Sequence, residues 1–206
     1  MMKESIMKKG IVLTLFLLVV SSVLLLSEDK NTINLELSQG FFRSSNTTFQ
    51  TIYGSTYPTF FGVSLFWKEK LKFLTGFRYF KKSGETILES DVIGIEPDKV
   101  SLSAMIIPFN TYFYFGGTKM QPFLMGGFHY AKFNEKWIDT GISTSRSNFG
   151  YEVGGGILFY PREKWSLSAG LTYSSTNFKD EQEIEALDIG GYNIFVQFSY
   201  KLFNLK

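Results

Sequence analysis

The sequence has no cysteine and only one histidine among its 206 residues. The lack of cysteine excludes disulfide frameworks, thiol nucleophiles, cysteine-ligated zinc and an N-terminal lipoprotein anchor. A lone histidine, His129, excludes metal sites that need two imidazoles, such as the HExxH zinc motif. The 21 basic and 19 acidic residues nearly balance, and the formal net charge of +2 gives no reason to expect a nucleic-acid partner.

Aromatic residues and glycine are abundant. The 22 Phe and 11 Tyr residues bring the aromatic share to 17%, beside 19 Gly and a hydrophobic share of 44%. This composition excludes a disordered chain, a collagen and a coiled coil, which need low hydrophobicity, a glycine period or a dominance of Ala, Glu, Lys and Leu. The length suits a single domain with a leader.

Residues 1–27 differ from the rest of the chain. Basic residues precede an apolar run over residues 11–26. This order predicts a secretory signal peptide. The alternative is an uncleaved membrane anchor, but the run is shorter than the ~20 residues of a membrane-spanning helix. We therefore expect a signal peptide at 1–27 and one domain at 28–206.

After the leader, apolar and polar side chains alternate, which is the pattern of β-strands with two different faces. In the last run, Val196 and Phe198 share one face, whereas Gln197 and Ser199 share the other. No helical periodicity is evident. Several runs exceed the usual strand length of ~5–6 residues. The eight runs lie near residues 32–42, 60–67, 71–81, 99–115, 120–133, 147–160, 164–178 and 188–203.

The connections between these runs alternate strictly between long and short. The short ones lie at 68–70, 116–119 and 161–164, and the long polar ones at about 43–59, 82–98, 134–146 and 179–187. Strands that cross a bilayer up and down produce this asymmetry, with short periplasmic turns and long external loops. The sequence therefore predicts an all-β fold, an eight-stranded antiparallel up-and-down transmembrane β-barrel with both termini on the periplasmic side. Its apolar strand faces are expected to meet lipid.

Aromatic residues cluster where the strands meet the short turns. Trp67, Phe115, Tyr160 and Trp165 lie beside these turns. Amphipathic rings settle at the depth of the lipid headgroups. An ordinary core position explains one such residue, but repetition at all three turns favours an interfacial girdle.

Five segments carry a resemblance to a known family. They are LKFLTGFRYFKKSGE (71–85), VSLSAMIIPFNTYFYF (100–115), MQPFLMGGFHYAKF (120–133), FGYEVGGGILFY (149–160) and WSLSAGLTYSS (165–175). They resemble the bacterial outer membrane protein beta-barrel domain family, the small eight-stranded barrels of the OmpA/OmpX type and the PorT-like group. The last run, YNIFVQFSYKLF, resembles the C-terminal signal of such barrels, with Leu202 in phase and Phe203 out of phase.

This resemblance covers nearly all of residues 32–203 and contains no catalytic motif, so it speaks for architecture more than for activity. It implies a location in the bacterial outer membrane, among outer-membrane lipid and lipopolysaccharide. It also implies the barrel assembly machinery as a partner during biogenesis.

The polar strand faces place four charges in the expected lumen, namely Glu36, Lys201, Arg78 and Glu152. Arg78 and Glu152 lie at similar heights, and Glu36 and Lys201 lie on the first and last strands, which are neighbours in a closed barrel. An unpaired charge in a narrow lumen is costly to desolvate, so we predict the pairs Arg78–Glu152 and Glu36–Lys201. The alternative is that each charge is hydrated by water beside small Ser and Gly residues.

We expect no catalytic residue, cofactor or metal, and interpret the chain as a monomeric, non-enzymatic barrel with a structural role or an unidentified partner at its external loops. Eight strands leave an interior too narrow for a diffusion pore. One alternative is a lipid-modifying enzyme that uses His129, although the sequence following it lacks a His-x-Ser spacing. The other is a secreted lipocalin-like barrel with its apolar face inside.

Overall fold

The computed structural model describes residues 31–68, 70–86, 98–116, 119–178 and 187–205. The predicted leader, 1–27, and parts of two predicted loops lie outside the described residues. Within the described residues, no helix has the length and apolar character needed to cross a membrane.

Eight long strands form a closed antiparallel barrel, and two short strands form a separate pair. The elements are β1 (Asn31–Ser44), β2 (Thr59–Trp67), β3 (Leu71–Thr86), β4 (Asp98–Tyr114), β5 (Met120–Trp137), β6 (Ser143–Arg162), β7 (Trp165–Ser175), β8 (Asn177–Phe178), β9 (Leu187–Asp188) and β10 (Gly191–Leu205). Around the barrel each strand pairs with the next barrel strand along the chain, and β1 closes against β10. The predicted eight-stranded up-and-down barrel is confirmed.

A short helix, α1 (Thr47–Tyr53), lies in the first long loop, where the sequence shows no helical periodicity. We call this end of the barrel external and the opposite end periplasmic, following the orientation predicted from the loop lengths. The Asn46 side chain caps it by accepting a hydrogen bond of 2.9 Å from the backbone N–H of Phe49. Gly54 ends it with a φ of 62°, a conformation that glycine adopts without steric cost. Asn46 was the available cue, because seven residues are too few for a helical period to emerge.

The strand alternation separates a lipid-facing surface from a packed lumen. On β10, Val196 and Phe198 are 56% and 38% exposed, whereas Gln197 and Ser199 are 2% and 4% exposed. This confirms the predicted facing of the last strand. An apolar exterior suits lipid and excludes the lipocalin-like alternative, whose apolar face would point inward.

A bulge in the last strand determines the orientation of its final apolar residues. The pairing of β1 with β10 shifts between Ile33, opposite Phe203, and Asn34, opposite Lys201. Leu202 is the extra residue of this β-bulge. Paired residues share a face, so Phe203 joins Ile33 on the outside, and Leu202 and Phe203 are 47% and 52% exposed.

We predict that Val196→Arg destabilises the folded barrel by about 2–4 kcal/mol, because a charge on the lipid face is most costly near the bilayer midplane. Leu202→Arg, on the same strand but close to the periplasmic interface, should cost only about 0–1 kcal/mol. Urea unfolding of both variants in lipid vesicles measures the difference. Equal losses at the two depths would contradict a membrane-embedded β10.

Candidate functional site

Apolar side chains fill both ends of the lumen. The periplasmic cluster consists of Phe60, Phe66, Leu74, Tyr112, Tyr114, Phe123, Met125, Leu158 and Phe195. The external cluster consists of Phe42, Phe49, Tyr53, Phe80, Val100, Leu102, Ala104, Ala131, Phe133 and Ile189. Because Phe49 and Tyr53 belong to α1, this helix contributes directly to the packing at the external mouth. The side chains of Arg78 and Glu152 therefore lie between two packed ends of the lumen.

Arg78 and Glu152 form a two-pronged ion pair in the lumen. The Nη1 and Nη2 atoms of Arg78 donate to Oε2 and Oε1 of Glu152 at 3.2 and 3.0 Å. Asn110 Nδ2 donates to Oε2 of the same carboxylate at 3.3 Å. Glu152 is fully buried, and the bidentate geometry is the strong form of this interaction. The structure thus brings together the first predicted pair.

Glu36 lies at the centre of a second polar cluster. Lys72 Nζ is 3.0 Å from its Oε1 atom, and Gln197 Nε2 donates to Oε2 at 2.6 Å. The hydroxyls of Ser64 and Ser199 also donate to this carboxylate. Strands β1, β2, β3 and β10 all contribute, so the fully buried Glu36 has one cationic and three neutral donors.

The predicted Glu36–Lys201 pair is wrong. Along β10, Ser199 lies opposite Glu36, whereas Lys201 lies opposite Asn34, closer to the periplasmic end. Lys201 is only partly buried there, so its ammonium group can stay hydrated without a carboxylate. Lys72 takes the position that was assigned to Lys201.

Lys72 was missed by the sequence analysis although the strand pattern contained it. Lys72 and Arg78 are six positions apart on β3, so they point to the same side of the sheet. The Nζ atom of Lys72 also lies 5.0 Å from the centroid of the Tyr112 ring. A consistent period-two assignment of β3 would have placed both cations in the lumen.

The aromatic residues beside the short turns do not all face lipid. Trp67, Phe115 and Trp165 fall in the outward phase of their strands. The prediction for Tyr160 is wrong, because its side chain packs against the periplasmic cluster inside the lumen. Its neighbour Phe159 is 41% exposed and faces outward instead. In a strand, only one of two adjacent rings can reach the interface.

His129 is buried in the lumen, with 2% exposure. Its Nε2 atom lies 2.6 Å from Thr176 Oγ1, and its Nδ1 atom has no hydrogen-bond partner among the described residues. A cavity of about 20 Å³ adjoins His129, Thr176 and Arg78, which is room for about one water molecule.

Three contacts hold α1 in the external mouth. Phe49 and Tyr53 are 2% and 5% exposed, and the Tyr53 hydroxyl donates a hydrogen bond to Glu135. The backbone of α1 touches β3 at Gly84, where a Cβ atom would lie 2.1 Å from the carbonyl oxygen of Ile52. Only glycine permits this close approach.

We predict that α1 loosens in alkaline solution. Burial, and then the hydrogen bond to Glu135 and its negative charge, raise the pKa of Tyr53 above the ordinary value of 10.0. Docked Tyr53 keeps its proton more tightly than undocked Tyr53, so docking is fully favourable below pH 10 and weakens as the pH rises further. A spin label on Thr51→Cys, an exposed position in a cysteine-free chain, should therefore gain mobility above pH 10. Tyr53→Phe is the control, and an equal alkaline response in it would contradict the prediction.

Comparison with known proteins agrees with this architecture. The chain matches the family described as outer membrane protein beta-barrel domain over residues 13–201. No curated protein sequence matches it. Neisserial surface protein A is a similar solved structure, with a TM-score of 0.60 and 11% identity, covering 84% of this chain and 100% of that one.

Two further barrels are also similar. A major outer membrane protein from Thermus thermophilus has a TM-score of 0.56 and 10% identity, covering 84% of this chain and 99% of that one. OprG from Pseudomonas aeruginosa has a TM-score of 0.54 and 12% identity, covering 84% and 97%. At these identities the likeness concerns the fold. The chain, a barrel of the bacterial outer membrane, belongs to the outer membrane protein beta-barrel domain family.

Proposed function

We propose that the protein is a non-enzymatic barrel that is closed to solutes and presents an external hairpin for interaction with a partner. The packing of the lumen carries this proposal. Two apolar clusters enclose the Arg78–Glu152 pair, and the cavity beside this pair has room for about one water molecule. Such a lumen provides stability rather than a route for solutes.

The external hairpin is formed by β5 and β6. The sequence suggested a long loop at 134–146, but the strands continue to Trp137 and resume at Ser143. At the tip, Ile138 and Ile142 are 50% and 56% exposed. The backbone of Lys99 makes two hydrogen bonds to the tip. Its carbonyl oxygen accepts from the Ile138 N–H at 2.8 Å, and its N–H donates to the Asp139 carboxylate at 3.1 Å. A pre-ordered apolar tip loses little entropy on binding, which favours an interaction role.

The enzymatic alternative has one observation in its favour, which is the 2.6 Å contact between His129 Nε2 and Thr176 Oγ1. A hydroxyl beside an imidazole is the arrangement of an activated nucleophile. However, a catalytic base must come within about 2.6–3.2 Å of the proton it removes. The water-sized space beside His129 does not admit a lipid, so we prefer the non-enzymatic function.

Two measurements distinguish these functions. Lipid A from cells that produce the wild type or His129→Ala should have identical masses, and vesicles containing the purified barrel should not swell in sugar solutions. A mass change that disappears in His129→Ala would establish the enzyme instead. Swelling that depends on the barrel would establish a pore.

The interaction role is tested with a photo-crosslinking residue on intact cells. We expect a discrete cross-linked product when it replaces Ile138 or Ile142. The matched control is Lys119, which is exposed beside a short periplasmic turn. The same product from Lys119, or none from either hairpin position, would contradict an external interaction surface.

A further inference from the structure

The apolar exterior of β3 to β6 ends along one row of paired residues. Tyr79 pairs with Met105, Met105 with Lys132, and Lys132 with Ser147. On the periplasmic side of this row the outward positions are largely apolar, as Phe77 illustrates. Beyond the row, on the external side, they are mainly lysine, serine and asparagine, with one acidic residue, Glu85, near the external end of β3. The wall therefore changes from apolar to polar and largely cationic along this row.

On β5 this boundary matches the outer edge of the hydrocarbon layer. The outward residues of β5 are uncharged from Met120 to Tyr130. At a rise of about 3.4 Å per residue and a tilt of about 40°, this stretch spans about 26 Å. The apolar band of a membrane barrel is about 25 Å tall. Lys132, two residues farther along, therefore lies at the depth of the outer-leaflet headgroups.

Three exposed lysines, Lys81, Lys132 and Lys136, share this part of the wall. Lys81 pairs with Ser103, which in turn pairs with Asn134, midway between the two lysines of β5. With strands about 4.8 Å apart and a rise of about 3.4 Å, the Cα atoms of the three lysines are roughly 12–14 Å apart. Their long side chains can bring their ammonium groups to one anionic group, or can bind two anionic groups of a single ligand.

The residues that pair directly with these lysines are not acidic. Lys81 pairs with Ser103, Lys132 with Met105 and Ser147, and Lys136 with Ser101 and Ser143. None of these five partners carries a charge. The serines instead add hydroxyl donors, which together with ammonium groups suit phosphate oxygens.

We propose that Lys81, Lys132 and Lys136, with the serines between them, form a binding site for the phosphate groups of a glycolipid headgroup in the outer leaflet. The depth selects a lipid rather than a free anion, because a headgroup is held at this height by its acyl chains. This site lies on the outer wall of the barrel and goes beyond the proposed role of the hairpin. It would hold a lipid even if the hairpin had no partner.

The test uses the full-length folded barrel in phosphatidylcholine nanodiscs, titrated with fluorescent lipid A that carries both phosphates. A basic residue near a lipid surface strengthens binding about fivefold, so Lys81→Gln/Lys132→Gln/Lys136→Gln should bind on the order of a hundredfold more weakly. The matched control is Lys70→Gln/Lys119→Gln/Lys164→Gln, which removes the same charge from exposed residues at the periplasmic turns. We expect this control to bind like the wild type. Unheated SDS gels verify that each variant is folded.

Two further arms identify the ligand. Dephosphorylated lipid A should bind the wild type as weakly as it binds the triple variant. Inorganic phosphate at millimolar concentration should not displace the fluorescent lipid. Equal binding by the wild type and the triple variant, or an equal loss in the periplasmic control, would overturn the site. Displacement by inorganic phosphate would overturn its assignment to a lipid.

Discussion

Arg78→Met and Glu152→Gln should each lower the free energy of unfolding of the barrel by about 3–5 kcal/mol, because either change leaves a buried charged or polar group without its partner. The two side chains are joined by hydrogen bonds of 3.0 and 3.2 Å, and Glu152 is fully buried. The double variant removes both members of the pair. It should therefore recover much of the stability that the single variants lose.

Urea unfolding in detergent of the wild type, both single variants and the double variant measures this coupling. Arg43→Met is a suitable control, because Arg43 is an exposed arginine on β1. The free energy of unfolding of Arg43→Met should differ from that of the wild type by less than about 0.5 kcal/mol. If the effects of the two single variants simply add in the double variant, Arg78 and Glu152 do not stabilise each other.

Lys72→Met should also destabilise the barrel by about 3–5 kcal/mol, whereas Lys201→Met should cost about 0–1 kcal/mol. Lys72 is 2% exposed and its Nζ atom lies 3.0 Å from the Glu36 carboxylate. Lys201 lies near the periplasmic end and is partly exposed, so water replaces its interactions at little cost. The comparison tests which lysine neutralises Glu36.

Urea unfolding of Lys72→Met, Lys201→Met and the double variant Lys72→Met/Glu36→Gln measures these losses of stability. We expect this double variant to be more stable than Lys72→Met alone, since the carboxylate left unpaired is also removed. A larger loss in Lys201→Met than in Lys72→Met would show that Glu36 depends on the last strand for its cation.

Most of the barrel could be predicted because side chains alternate along a strand with a period of two. In a membrane barrel the lipid-facing residues are apolar and the lumen residues are largely polar, so the alternation appears in the sequence. The outward Val196 and the inward Gln197 follow from that period alone, as does the count of eight strands. The same period also contained Lys72, which shares the lumen phase of Arg78. The inward position of Tyr160 follows from the same alternation, which determines its facing regardless of its proximity to a turn.

The external mouth could not be predicted in the same way, because tertiary contacts form it. Helix α1 has only seven residues, and isolated helices of this length are not stable in water. Its position depends on Gly84, which the sequence does not connect to Ile52. The cation beside Glu36 likewise depends on the relative heights of residues on several strands, which the period of two within one strand does not determine. Lys201 lies two residues from the level of Glu36, and Lys72 lies close to it.

The arrangement around Glu36 has a consequence for how the chain completes its barrel. Two of its donors, Gln197 and Ser199, lie on the last strand, whereas Ser64 and Lys72 lie on the second and third. An open sheet can supply only the latter two, so the carboxylate is fully satisfied only when the first and last strands meet. A slip of two residues at that seam would place Gln197 or Lys201 opposite Glu36 instead of Ser199 and so change its set of donors. The four donors of Glu36 therefore stabilise this register of the first and last strands in the closed barrel.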